Sequence, residues 1–359
     1  MKKLYYLFLA AFLMVSFSVN GQDEAPKEEV PTWLVGGGIG LNIDQLLIIQ
    51  PRAGAGENKI GFGGLGNIFA TYQKDRLTWD NIGSLQLVFQ RLGRVSVFNP
   101  FQKTIDDLRL GSKVGYSLTA DKKWYAALEF TFQSQLLNTF NGNTLTDVNN
   151  GEALPDDNLS AISQFFSPAT ITITPGIDWK PNANFSVLFS PASIRMIVVA
   201  NDAIAGLYID ADGSIIDPVL NPLGGNGFQS SLHGNPMRAP GDFDNADFQL
   251  GASARATYKN KFVEDRLSFT SSLFLFYDYL GGQDGATNNP VVEWTTETAF
   301  DIYKGLSLAL NTGLFYDFNK PVSKDWNRDL GVYETVEPGA MFTQALLIKY
   351  NFIFGDKKK

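Results

Sequence analysis

The feature that most constrains the fold is a two-residue alternation of apolar and polar side chains between residues 33 and 354. In one such stretch, Val292 and Trp294 alternate with Glu293 and Thr295. Successive side chains of a strand point to opposite faces, so this pattern predicts strands with one apolar face. Twelve stretches qualify, at 33–42, 60–72, 77–90, 106–118, 124–136, 169–179, 185–198, 247–258, 266–279, 291–302, 306–317 and 341–354.

The connections between these strands alternate between short and long. Those after every even-numbered strand up to the tenth are short and charged, whereas 138–168 and 200–246 are the longest. Outer-membrane barrels have short periplasmic turns and long outer loops. The sequence therefore predicts an all-β fold, a transmembrane antiparallel up-and-down β-barrel of 12 strands, with both termini periplasmic. The alternative is a soluble barrel, whose apolar face would point inward.

The ends of the chain predict export to a Gram-negative envelope. Residues 1–21 have two lysines, an apolar run and small residues at the exit, which is typical of a cleaved signal peptide. Residues 22–32 are polar and acidic and predict a disordered periplasmic lead. The barrel is expected at 33–354, followed by a basic C-terminal tail at 355–359.

Aromatic residues on the apolar faces indicate which face looks outward. They cluster at strand ends beside the short turns, where amphipathic rings form a membrane-interface girdle. The predicted periplasmic girdle comprises Trp33, Tyr72, Trp79, Tyr116, Trp124, Trp179, Phe185, Tyr258 and Tyr350.

The opposite face carries charges of both signs that are expected to point into the lumen. Buried charges normally form paired networks, which would plug and rigidify the barrel. The other interpretation is that they select ions or solutes. The candidates are Arg109, Lys113, Glu129, Asp178, Arg255, Glu293, Glu297, Asp301 and Lys349.

Catalytic and metal signals are weak, and we expect no enzyme activity and no cofactor. The single histidine, His233, lies near Ser230, Ser231 and Asp242 in a long loop, where such residues are common. Asp210 and Asp212 precede Gly213 and are a weak calcium candidate, but the twelve-residue calcium loop with its closing glutamate is absent.

Composition limits the partners. The chain has 37 acidic and 29 basic residues and no cysteine, which argues against nucleic-acid binding, disulfides and thiolate metal sites. The expected partners are outer-membrane lipid, an envelope protein and, during insertion, the barrel-assembly machinery.

Several segments resemble a family of Bacteroidota outer-membrane barrels that is known only as a domain of unknown function. The resemblance implies an outer-membrane barrel and no reaction. Barrels of this kind usually end on an aromatic assembly signal, for which Phe352 and Phe354 are the candidates, although five residues follow them here. The resembling segments are WLVGGGIGLNIDQ at 33–45, AGAGEN at 53–58, IGFGGLGNIFATYQKDRLTWDN at 60–81, DDLRLGSKVGYSLTADKKWYAALEF at 106–130, FFSPATITITPGIDWKPNANFSVLFSP at 165–191 and KYNFIF at 349–354.

Two functions remain open on the sequence alone. The first is a non-catalytic envelope interaction or structural protein with a largely plugged lumen. The second is a porin-like channel, passive or substrate-specific, in which the acidic row Glu293, Glu297 and Asp301 would favour cations.

Overall fold

The computed structural model describes most of the predicted barrel. Residues 1–31 and 355–359 lie outside the described residues, so the predicted signal peptide, the basic tail and all but the last residue of the lead do too. The calcium candidates Asp210 and Asp212 also lie outside them. The described residues are 32–46, 59–92, 101–140, 148–149, 152–153, 161–209, 215–218, 230–281, 290–317, 322–327, 332–337 and 339–354.

Twelve antiparallel strands form one closed barrel in chain order, and the first strand pairs with the last. The prediction of a 12-stranded up-and-down barrel is confirmed. The strands are β1 (Thr32–Leu46), β2 (Lys59–Lys74), β3 (Leu77–Leu92), β4 (Gln102–Ser117), β5 (Trp124–Ser134), β6 (Ala169–Asn182), β7 (Phe185–Val198), β8 (Ala246–Phe262), β9 (Leu267–Asp278), β10 (Val291–Tyr303), β11 (Leu306–Tyr316) and β12 (Ala340–Phe354).

Short turns and both strand termini lie at one end of the barrel, which we call the turn end, and the long connections lie at the opposite, loop end. The hairpin between β10 and β11 is a two-residue turn, in which Lys304 has a φ of 37° and Gly305 a φ of 88°. Positive φ at both central residues matches the twist of the flanking strands. Some strands extend beyond their predicted limits: β4 begins at Gln102 and β8 ends at Phe262, because backbone pairing continues through polar residues there.

The wall of the barrel is apolar outside and polar inside. Residues paired directly across two antiparallel strands point to the same face, which carries each assignment around the barrel. Outward side chains are large, apolar and exposed, as Ile68 shows with 67% of its surface exposed. Further members of this outer belt are Ile39, Leu41, Leu110, Leu128, Ile177, Phe189, Leu275, Phe300, Ile302, Leu308, Leu346 and Ile348.

Parts of the long connections pack together into an outer cap at the loop end. A short helix, α1 (Asp202–Ala205), begins at Asn201, whose side chain accepts a hydrogen bond from the Ala203 N–H. Within the described residues, no helix has the length and apolar character needed to cross a bilayer. Short strands in the connections are Thr139–Phe140, Val148–Asn149, Glu152–Ala153, Ala161–Ser163, Tyr208–Ile209, Ile215–Ile216, Ser230–Ser231, Met237–Ala239, Asp242–Phe243, Val322–Asn327 and Val332–Glu337.

Candidate functional site

The lumen near the turn end holds a cluster of charges around Asp178. Lys113 Nζ donates a hydrogen bond to Asp178 Oδ2 at 3.0 Å, and Lys180 Nζ lies 3.5 Å from the same oxygen. The Lys180 ammonium also lies 4.7 Å from the centroid of the Tyr125 ring. Lys113 belongs to β4 and Asp178 to β6, so this ion pair joins strands that are two apart in the barrel.

A second ion pair crosses the lumen between strands that are further apart in the barrel order. Arg255 Nε donates to Glu129 Oε2 at 2.9 Å, joining β8 to β5, three strands away. The Arg255 guanidinium carbon lies 4.4 Å from the centroid of the Phe274 ring. Lys113 and Glu129 are directly opposite each other in the β4–β5 register, but their hydrogen-bond partners are Asp178 and Arg255.

The most buried ion pair is one that the sequence reasoning missed. Arg195 in β7 donates to Asp317, which directly follows β11, at 3.1 Å, and to Gln249 Oε1 in β8 at 2.7 Å. The Arg195 and Asp317 side chains are 2% and 1% exposed. Strict alternation from Phe185 would place Arg195 on the outer face. A β-bulge between Ser190 and Ser193 shifts the phase and turns Arg195 inward.

Toward the loop end, the lumen contains a cavity of about 410 Å³, and Arg195 lies in its wall. Arg109 in β4 donates from Nε to Asp107 Oδ2 at 2.7 Å, and Gln133 donates to the other Asp107 oxygen at 2.9 Å. Glu293 in β10 lies on the opposite side of the barrel from Arg109. The residues that line the cavity include Gln86, Arg109, Arg195, Glu293, Phe315 and Met341.

The remaining predicted lumen charges are Glu297, Asp301 and Lys349. Glu297 is directly opposite Asn311 in β11 and Thr270 in β9. Asp301 lies near the turn end, where its backbone N–H donates to the Arg266 carbonyl oxygen. Lys349 pairs through its backbone with Gly40 and Ser307, and its side chain lies outside the described part of the chain, as do those of Phe352 and Phe354.

The predicted girdle residues lie near the turn end, and several contact one another across strands. Trp33 packs on Tyr72 and Trp79 with ring centroids 5.0 and 5.8 Å apart, and Trp124 and Trp179 are 5.9 Å apart. The other girdle residues are paired across neighbouring strands: Tyr116 lies opposite Leu77, Phe185 opposite Tyr258, and Tyr350 opposite Ile39. Their role at a membrane interface remains a prediction.

A second aromatic set at the loop end was missed by the sequence reasoning. Its residues are spread over strand ends and loops, so no regular spacing marks them. Tyr279 ties this set to the wall by donating from its hydroxyl to the Pro191 carbonyl oxygen at 2.9 Å. The set comprises Phe62, Phe89, Phe101, Phe132, Phe165, Phe166, Phe248, Tyr277 and Tyr279.

The outer cap has its own apolar core. Val199, Ile204, Ala205 and Leu207 are buried together and pack against partly buried residues of the 161–162 and 215–243 segments. His233 Nε2 lies 2.6 Å from the Ile162 carbonyl oxygen, which links the two long connections.

Two of the polar groups considered for chemistry are engaged within this cap, whereas the buried Ser230 hydroxyl has no hydrogen-bond partner within the described residues. Ser231 donates from its hydroxyl to the Asn235 carbonyl oxygen at 2.6 Å, and Asp242 lies 3.3 Å from the Arg238 guanidinium. Among the residues that the structure describes, no group of three His, Cys, Asp or Glu side chains could hold a metal ion.

Comparison with known proteins gives one family and several structural relatives. Residues 50–140 match the model of a family described as a protein of unknown function (DUF3078). No protein of curated function matches the chain in sequence.

The structural relatives are similar over nearly their whole length but at low identity. An outer-membrane channel from Pseudomonas putida F1 is 12% identical with a TM-score of 0.37, and the alignment covers 93% of this chain and 100% of the channel. The translocator domain of the autotransporter NalP from Neisseria meningitidis is 8% identical with a TM-score of 0.35, covering 98% and 97%. The NanC porin is 8% identical with a TM-score of 0.32, covering 90% and 100%.

Proposed function

We propose that the protein is an integral outer-membrane β-barrel whose lumen is closed by ion pairs, and that it acts without catalysis, by binding an envelope partner through its outer cap. The observation that carries the closed lumen is the set of ion pairs Lys113–Asp178, Glu129–Arg255 and Arg195–Asp317, which join non-adjacent strands across the interior.

The outer belt supports the membrane location. Soluble monomers rarely expose a contiguous apolar surface of this extent, whereas a barrel in lipid needs one around its whole circumference. A soluble barrel would instead bury its apolar face inside. With the outer membrane as its setting, the turn end and both termini face the periplasm and the cap faces outward.

Charge pairing supports the closed lumen. A charged side chain in a narrow interior is retained when it is paired and hydrogen-bonded, and each such pair holds two parts of the wall at a fixed distance. The three pairs leave the interior crossed by side chains, which opposes free passage of hydrated solutes.

The cap supports the interaction role. Long outer loops that only shield a pore need no apolar core, whereas Ile204 and Leu207 are buried within this one. A folded surface at the cell exterior offers a fixed shape for recognition.

The partner role is tested by in vivo crosslinking of cells that carry the wild type or a variant in which a short Gly-Ser turn replaces residues 200–245. A heat-modifiable electrophoretic shift reports that the variant barrel is folded. We expect at least one envelope protein to be captured by the wild type alone. An identical partner set in both strains would contradict the proposal.

The second candidate function is a cation-preferring channel. The observation that favours it is the cavity in the lumen, with Glu293 at its wall and Glu297 on the same strand. Glu297→Lys should then shift the reversal potential measured under a salt gradient. An unchanged reversal potential in a conducting variant would remove the acidic row as the filter.

A further inference from the structure

The cavity in the loop-end half of the lumen is lined by Arg109 on one wall and Glu293 on the other. Asp106 and Asp107 also line the Arg109 wall, where they form ion pairs with Lys103 and Arg109. Arg109 lies in β4 and Glu293 in β10, and these strands are six positions apart in a ring of twelve. They are therefore diametrically opposed. The Arg109 side chain is 44% exposed although it points inward, so the space between the two walls is wide enough to hold solvent or a solute.

Both charged groups keep unused binding capacity. Arg109 donates a hydrogen bond from Nε to Asp107, and neither of its terminal nitrogens donates to a described residue. The Glu293 carboxylate accepts no hydrogen bond from any residue in the described ranges, although it attracts Arg109 electrostatically. A guanidinium with free terminal N–H groups suits a carboxylate, and a free carboxylate suits an ammonium group.

A third polar residue, Gln86, lies on the same wall. The side-chain Nε2 of Gln86 is buried and has no hydrogen-bond partner within the described residues, and Gln86 lines the cavity beside Arg109. This nitrogen has almost no accessible surface, so a ligand in the cavity does not reach it directly. The terminal nitrogens of Arg109 therefore form the acceptor-binding side.

The apolar lining limits the size and class of the ligand. Phe315 and Met341 provide an apolar wall between the polar groups, and about 410 Å³ suits a small molecule rather than a chain or a sugar polymer. Mixed charge on opposite walls disfavours simple anions and simple cations, because each would face one repelling side.

We propose that this cavity binds a small zwitterion of the amino-acid or short-peptide class, with its carboxylate at Arg109 and its ammonium group at Glu293. This binding site goes beyond the proposed function and does not depend on whether the lumen conducts.

The test is isothermal titration calorimetry of the refolded, heat-modifiable full-length protein in detergent. The probes are alanine, alanyl-alanine, N-acetyl-alanyl-alanine, which lacks the ammonium group, and alanyl-alanine amide, which lacks the carboxylate. We expect alanine or alanyl-alanine to bind, and each blocked analogue to bind at least about ten-fold more weakly, as loss of one charge-assisted hydrogen bond implies. The comparison of the two zwitterions distinguishes an amino acid from a peptide.

Variants locate the site. Glu293→Gln should weaken binding of the zwitterion and remove the difference between it and the N-acetyl analogue. Arg109→Met should likewise weaken binding of the zwitterion and remove the difference between it and the amide analogue. Asp301→Asn, on the same strand as Glu293 but outside the cavity wall, should bind like the wild type. No binding of either zwitterion at millimolar concentration to the folded wild type, or equal binding of the blocked analogues, would overturn the proposal. Conductance by a protein that still binds zwitterions would refute only the closed lumen.

Discussion

Arg195 and Asp317 form an ion pair across the lumen although 122 residues separate them in the chain. The pair joins β7 to the end of β11, four strands away, and both side chains are almost fully buried. Gln249 and Asp317 together satisfy two of the guanidinium nitrogens. This contact links two distant parts of the barrel wall. Strict alternation along the sequence would instead place Arg195 on the outer, lipid-facing surface.

Breaking this pair on one side should be costly. Arg195→Met leaves a buried carboxylate without its counter-charge, and we expect it to lower the free energy of unfolding by about 3–5 kcal/mol. Replacing both partners, as Arg195→Met with Asp317→Leu, should cost less than the single change. Urea unfolding in lipid vesicles measures both.

The exposed pair Arg238–Asp242 provides the control. Arg238→Met should change the unfolding free energy by less than about 1 kcal/mol, because exposed ion pairs contribute little. A single Arg195→Met variant as stable as the wild type would show that the buried pair does not brace the wall.

Close backbone approach should make Gly176 intolerant of a side chain. A β-carbon at this position would overlap the carbonyl oxygen of Phe189 on β7, next to the bulge. Gly176→Ala should therefore destabilise the barrel by about 1–3 kcal/mol. Gly66→Ala is the matched control, because nothing lies within 4 Å of its β-carbon position. Equal stability of the two variants in urea unfolding would contradict the close approach.

The outer cap should unfold separately from the barrel. Ile204 is buried in the cap core, so Ile204→Ala should remove about 2–5 kcal/mol from cap stability. We expect faster proteolysis within 199–245 by limited digestion, with the heat-modifiable shift of the barrel unchanged. Equal cleavage rates in the variant and the wild type would show that this apolar cluster does not hold the cap together.

The turn between β4 and β5 should show a local pH dependence. Thr119 donates a hydrogen bond to the Asp121 carboxylate at 2.6 Å, which, helped by the backbone N–H and charge of Lys123, holds the pKa of Asp121 below its usual 3.8. A depressed pKa means that this contribution to turn stability is present at neutral pH and is lost as the pH falls below 3.8.

Thr119→Val should raise the pKa of Asp121 toward its usual value, whereas Thr119→Ser keeps the hydroxyl and should leave it low. An NMR titration of the Asp121 carboxyl carbon measures this. The same pKa in both variants would remove the hydroxyl as the cause.

The local sequence pattern was sufficient to predict the strands of the barrel. It was not sufficient to predict which side chains contact each other in the lumen. The alternation around Trp294 and the turn-forming residues at 304–305 predict a strand and a hairpin, because both depend on neighbouring residues. Arg195 was missed because one bulge inverts the phase of β7. Lys113 lies opposite Glu129 in the register of neighbouring strands, but its partner Asp178 is on a strand two places away and follows from the closure of the whole barrel.

The cap illustrates a second reason. Its core joins Ile162 with Leu207 and Phe243, residues from two loops that have no regular period. The apolar residues in the sequence indicate that these loops can pack. Which of these residues contact each other depends on the positions of the strand ends that anchor the loops.

The closed lumen is tested most directly by the conductance of the refolded wild-type protein in a planar lipid bilayer. For a heat-modifiable, folded barrel we predict no steady current, and we predict openings when Glu129→Gln and Asp178→Asn are combined to release two of the crossing pairs. Reproducible steady openings of the wild type would contradict the closed lumen and favour the channel.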